Sequence, residues 1–211
     1  MNKVYEVIIN EFGYDEPVFT KDLKNRVDMS DEALRQNLKR LADKGILIKV
    51  KQGIYYVPRA NSVLKKPRVN IDKVVTRRYI RPNSKDVIGY TAGINFANQL
   101  GITSQTASVT TIVTNETKRP EREVTFGKKV VKLKKPKTRI TERNYKLLQI
   151  LDLLNEYDRL SEIPLINAVN LIKKYLVDVN ITKQEFNEYI SSYPQKTMVR
   201  VLETELYSEF A

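Results

Sequence analysis

The sequence predicts an α+β fold in two parts, and three observations predict it. Helical and strand-like apolar patterns are mixed over roughly the first 140 residues, whereas the patterns from about 141 onward are all helical. Residues 61–70 are polar, basic and broken by Pro67, as expected of a linker. The expected organisation is therefore a small domain over 1–60, a linker over 61–70, and an α+β domain over 71–211 with a helical tail.

In the first part, Val4, Val7, Ile8 and Phe12 give residues 3–12 one apolar helical face, and 13–17 form a loop. A short helix is expected to open at Thr20 and a longer one at Ser30, both N-cap residue types. Asp31 and Glu32 lie in the first turn of the longer helix, where the helix dipole favours negative charge. Leu34, Leu38 and Leu41 define its buried face, and Gly45 suits the left-handed position past its end. Ile46, Ile48 and Val50 then alternate with Leu47, Lys49 and Lys51, Gly53 marks a turn, and residues 54–57 return. Helix, turn, helix and basic ribbon in this order predict a winged helix-turn-helix, a scaffold that places one helix in a DNA major groove.

The face opposite the leucines carries Arg35, Gln36, Lys39 and Arg40. In the DNA reading, Arg35, Gln36 and Lys39 approach base edges. Arg40, Lys49, Lys51 and the linker residues Lys65, Lys66 and Arg68 contact phosphates and set the register. Tyr55, Tyr56 and Tyr79 are candidates to stack on bases, although tyrosines with a wet hydroxyl are commonly core residues. The competing reading is a small helical domain whose basic face is simply solvated.

In the second part, residues 71–80 predict a helix with Val74, Val75 and Tyr79 partly buried, broken at Pro82. Residues 91–102 predict a helix of small and apolar residues, capped by Thr91 and stopped by Gly101. Residues 109–115 predict a strand, and 122–135 a hairpin around Gly127. From Thr141, expected as a cap, the tail is helical, with a break at 161–164 and a capping box at Thr182–Glu185. The dense apolar run Leu147, Leu148, Ile150, Leu151 and Leu154 needs a cover, and intramolecular core is favoured over a dimer face.

The chain has 211 residues and a net charge of +12, unevenly spread. Residues 65–139 hold 18 basic and 5 acidic side chains, a net of +13, whereas 1–64 net +2 and 140–211 net −3. The middle block offers a basic patch of Arg77, Arg78, Arg81, Lys128, Lys129, Lys132 and Lys134. Such a field attracts a polyanion, although lysines also protect edge strands. With no cysteine and no histidine, disulfides, zinc fingers, thiol nucleophiles and the usual general base are excluded. Neither a phosphate-binding loop nor a catalytic triad is visible, so no catalytic residue, cofactor or metal is expected. Glu121 and Glu123 beside Lys128 and Lys129 match a metal-nuclease pattern only at the level of chance. No apolar run reaches membrane-spanning length and the N-terminus lacks signal-peptide character, so a cytoplasmic location is expected.

Several of these motifs occur together in a known family. Gly53-Ile54-Tyr55 ends the wing, Leu100-Gly101-Ile102-Thr103-Ser104-Gln105 ends a small-residue helix, and Thr114-Asn115 ends the following strand. In this order the chain resembles the AbiEi antitoxins of type IV toxin–antitoxin and phage abortive-infection systems, over roughly residues 5–140. The chain departs from the family pattern in having Pro82-Asn83-Ser84 and then Lys85 in place of Pro-Ser-Gly. It also has Glu116-Thr117-Lys118 in place of a Gly-x-Ser turn. The resemblance implies an antitoxin that represses its own operon and counteracts a nucleotidyltransferase-like toxin, directly or indirectly. A regulator with one winged helix usually needs two copies, so an inverted-repeat operator is expected. The alternative is a protein-interaction module whose winged helix is structural and whose basic block docks an acidic partner.

Overall fold

The computed structural model describes residues 2–59, 69–83 and 85–210. It is a mixed α+β protein with two small sheets. The chain divides into two compact units, Met1–Val75 and Thr76–Ala211. Most of the expected linker, with Lys65, Lys66 and Arg68, lies outside the described residues.

The first unit runs α1 (Lys3–Glu11), β1 (Val18–Phe19), α2 (Thr20–Leu23), α3 (Asp31–Asp43), β2 (Ile48–Lys51) and β3 (Ile54–Tyr56). Its sheet is antiparallel, in the order β1-β3-β2. Asn2 caps α1 by accepting from the Val4 and Tyr5 amides, and Ser30 caps α3 by accepting from Ala33 N at 3.2 Å. Gly45, at φ +70°, takes the left-handed position past α3, where a Cβ would be strained. Val4 and Ile8 of α1, Leu23 of α2, and Leu34, Leu38 and Leu41 of α3 meet in one core.

Three details differ from the sequence reading. Thr20 is the first residue of α2 and does not cap it; its hydroxyl donates instead to the Gly53 carbonyl at 3.4 Å. Leu47 is buried and Ile46 exposed, because residues 46 and 47 belong to the turn leaving α3, before the strand alternation begins at Ile48. β1 is an additional strand of two residues, held by pairing Val18 with Tyr55 and Phe19 with Ile54.

The division falls within α4 (Ile71–Tyr79), whose residues 76–79 open the second unit. That unit contains β4 (Gly89–Ala92), α5 (Ile94–Leu100), β5 (Thr110–Thr114), β6 (Glu121–Phe126) and β7 (Lys129–Lys134). The helices α6 (Tyr145–Asn155), α7 (Tyr157–Leu160), α8 (Leu165–Leu176), α9 (Lys183–Ile190) and α10 (Gln195–Glu203) complete it, with a 3₁₀ turn over Leu206–Phe210. The sheet order is β4-β5-β7-β6, with β5 and β7 parallel and the outer pairs antiparallel. The expected hairpin forms, with Gly127 at φ +59° in its turn.

Thr91 is not a helix cap. It lies in β4 opposite Ile112, and α5 begins after Gly93 at φ +65°. Thr141 likewise does not start its helix: Asn144 precedes α6, and the two side chains each accept from the other's amide, at 2.8 and 3.4 Å. The tail helices form intramolecular core. Leu147, Ile150, Leu151 and Leu154 of α6 pack with Ala168 and Ile172 of α8, Phe186 of α9 and Val201 of α10. Val74, Val75 and Tyr79 are fully rather than partly buried. No helix among the described residues is long and apolar enough to cross a membrane.

Candidate functional site

α3 is positioned by its leucine face, and this leaves the opposite face free of packing duty. Arg35, Gln36, Lys39 and Arg40 are all exposed there. A cleft of about 480 Å³ runs between α3 and the β2–β3 hairpin. It is lined by Arg35 and Lys39 of α3, by Lys49, Gln52, Gly53 and Tyr55 of the hairpin, and by Thr20. The structure thus brings Arg35, Lys39 and Lys49 to one groove. Gln36, Arg40 and Lys51 do not line it. Tyr55, one of the three stacking candidates, does line it, whereas Gln52 was not expected there; the visible signal for Gln52 was its place beside Gly53 at the turn.

The groove is positively charged, with Asp43 as its acidic member. Arg35 also lies 3.8 Å from Asp31, one helical turn earlier, and Asp31 is hydrogen-bonded to Lys24. That hydrogen bond, with the nearby charges of Lys24 and Arg35, holds the Asp31 carboxyl below its ordinary range. Asp31 is exposed, so this pairing orients Arg35 at little energetic gain. Tyr56 is buried in the core side of the hairpin and Tyr79 is buried in the second unit, which removes both as stacking candidates. Tyr55 is half-buried and faces the cleft.

In the second unit the expected basic patch is partly neutralised. Arg81 makes a two-pronged pair with Glu142 at 3.0 and 3.1 Å. Lys132 binds Glu121 at 2.9 Å, and Lys134 reaches Glu156 at 3.4 Å. Arg78 lies over the Tyr79 ring, and Lys128 is exposed beside Gly127. Tyr79 packs edge-on against Phe126, so the end of α4 adjoins the hairpin end that carries Lys128 and Lys129. No group of three or more acidic side chains among the described residues is arranged to hold a metal ion.

A second, smaller cleft of about 210 Å³ lies beside α6, lined by Lys134, Lys137, Asp152 and Glu156 among others. Asp152 keeps some accessible surface as a residue, but its carboxyl is enclosed. It accepts from the Tyr90 hydroxyl at 2.8 Å and the Tyr193 hydroxyl at 3.1 Å. Burial pushes the Asp152 carboxyl up from its ordinary value of 3.8, against the lowering effect of both tyrosines and Lys137. Both tyrosine hydroxyls are raised, first by their own burial and then by Asp152. A carboxyl whose folded pKa is raised binds its proton more tightly when folded, so stability falls as pH rises from 3.8 through the folded value. Asp152→Asn removes that charge while keeping an acceptor for one tyrosine. Urea unfolding is expected to find this variant at least as stable as the wild type at pH 7, with the advantage shrinking toward pH 4. A wild type more stable by over about 1 kcal/mol at pH 7 would show that the ionised form is favoured.

Fold and groove together define an α+β protein with a basic helix–hairpin cleft in its first unit. The chain belongs to DUF6088, a family of unknown function that matches residues 18–175. No curated protein matches it.

Proposed function

We propose that the first unit is a winged helix-turn-helix that binds double-stranded DNA, and that the protein is a cytoplasmic, non-enzymatic antitoxin repressing its own operon. The observation that carries the DNA reading is the groove of Arg35, Lys39 and Lys49 between α3 and the hairpin. A helix whose exposed face is cationic, beside a basic two-stranded ribbon, suits a helix in the major groove with the ribbon on the backbone. The strand order β1-β3-β2 supports the same reading, because it holds the ribbon against the helices. The antitoxin role, with a nucleotidyltransferase-like toxin as the cognate partner, is supported by the AbiEi-like motifs alone.

Fluorescence anisotropy with the gene's own upstream DNA and with scrambled DNA, across a salt series, tests the DNA reading. Tighter binding to the upstream DNA at moderate salt is expected. Arg35→Ala should cost about 1–3 kcal/mol on that DNA and relax sequence preference, whereas Lys51→Ala should weaken all sequences alike. Equal, salt-labile binding to both DNAs would instead favour a docking module with a generic attraction for polyanions. Co-expression with the neighbouring toxin gene tests the antitoxin role: rescue of growth is expected, and unrelieved toxicity would sink it.

A further inference from the structure

The inward face of α10 is buried through Thr197 and Val201, but its outward face exposes two large apolar side chains, Val199 at 53% and Leu202 at 54%. Lys196 and Glu203 flank them, both exposed and neither in an ion pair among the described residues. We propose that this face is a self-complementary contact surface for a second copy of the chain.

At about 100° per residue, Val199 lies at the centre of the exposed face. Lys196 and Glu203, seven residues apart, fall on one edge, and Gln195 and Leu202 fall on the other. Two turns separate Lys196 from Glu203, about 10.5 Å along the helix. A two-fold axis crossing the helix at Val199 reverses its direction but keeps each edge on its own side. Lys196 then meets Glu203 of the partner subunit, and Glu203 meets Lys196 of the partner subunit. Val199 packs on its own copy, and Leu202 lies over the aliphatic part of Gln195 of the partner subunit. One surface thus matches itself in both charge and apolar contact, as a closed two-fold interface requires. An unrelated partner would not need the two charges to be reciprocal.

The helix has nine residues, and one such face is smaller than the about 800 Å² per partner of a standard stable interface. The pair is therefore weak, dissociating at roughly micromolar concentrations or above. This inference does not depend on the DNA reading.

Sedimentation velocity of the full chain over a wide concentration range tests it, with far-UV circular dichroism as the folding control. A concentration-dependent dimer is expected. Lys196→Glu and Glu203→Lys should each weaken it by about tenfold or more, because each reversal places like charges at both reciprocal contacts. An equimolar mixture of these two variants should associate again, since one then presents two carboxylates on that edge and the other two ammonium groups. The double variant should also recover. A chain that stays monomeric at every concentration, or a dimer indifferent to the reversals, would overturn the proposal.

Discussion

Gly89→Ala is expected to destabilise the second unit by about 3 kcal/mol, near the upper end for overpacking, because the group it meets is backbone rather than a movable side chain. A Cβ at residue 89 would sit 2.1 Å from the Tyr79 carbonyl oxygen, 2.7 Å from that of Val113 and 3.0 Å from the Thr114 side chain. Gly89 pairs with Thr114 across β4 and β5, so neither strand can shift without breaking the ladder. The preceding residue adds to the constraint: Ile88 donates its amide to the Ile80 carbonyl at 2.8 Å and accepts from Asn115 N at 2.8 Å. The need here is for close approach and not for a left-handed backbone, since Gly89 does not lie at positive φ. Urea unfolding followed by circular dichroism should show the loss, and a melting transition lower by about 10 °C. A variant within 1 kcal/mol of the wild type would mean that the end of α4 moves away easily, and that the close approach is not a fixed feature of the unit.

The second large effect concerns the groove of the first unit. Replacing Arg35, Lys39 and Lys49 together by Ala is expected to reduce affinity for the upstream DNA about a hundredfold to a thousandfold, roughly 3–4 kcal/mol. The slope of log affinity against log salt should become shallower by about 1, because Lys49 is the phosphate contact among the three and its loss removes about one released counterion. All three side chains line the same cleft, and Arg35 and Lys39 lie on the face opposite the leucines. Their removal should therefore leave folding stability within about 0.5 kcal/mol, as at other exposed sites. Affinity retained within threefold, with an unchanged salt slope, would show that the cleft is not the DNA face. The basic hairpin of the second unit would then be the next surface to test. Its Lys132 and Lys134 are tied to carboxylates, so the exposed Lys128 is the first residue to change there.

The individual elements were legible because their signals are local. The 3.6-residue recurrence of Leu34, Leu38 and Leu41 placed α3 and its exposed face, and with it the candidate readout residues. Thr182 and Glu185 form the expected capping box, each side chain accepting from the other's amide. Gly101, at φ +81°, ends α5 as expected, because a left-handed position favours a residue without Cβ. The alternation of Val131 and Leu133 with Lys132 and Lys134 marked β7 as a half-buried strand.

What escaped the sequence is long-range. β1 is too short to show a period and exists only through its pairing with β3. Thr91 and Ala92 read as a helix start because Thr91 is a good cap, yet residues 89–92 are β4. They form a strand because Tyr90, Thr91 and Ala92 pair with Val113, Ile112 and Thr111. The basic block looked uniformly cationic because its partners are far along the chain: Glu142 is 61 residues from Arg81, and Glu156 is 22 from Lys134. The enclosure of Asp152 by Tyr90 and Tyr193 likewise joins positions 62 and 41 residues away. The sequence by itself determined most of the helices, the Ser30 cap and the Thr182–Glu185 capping box, the leucine-backed basic face of α3 and the charge of each block. Tertiary structure alone decided the strand order, the groove that unites Arg35 and Lys39 with Lys49, and which charges are neutralised. Periodicity and capping depend on neighbours within a few residues, whereas strand pairing and ion pairing depend on how distant segments are brought together.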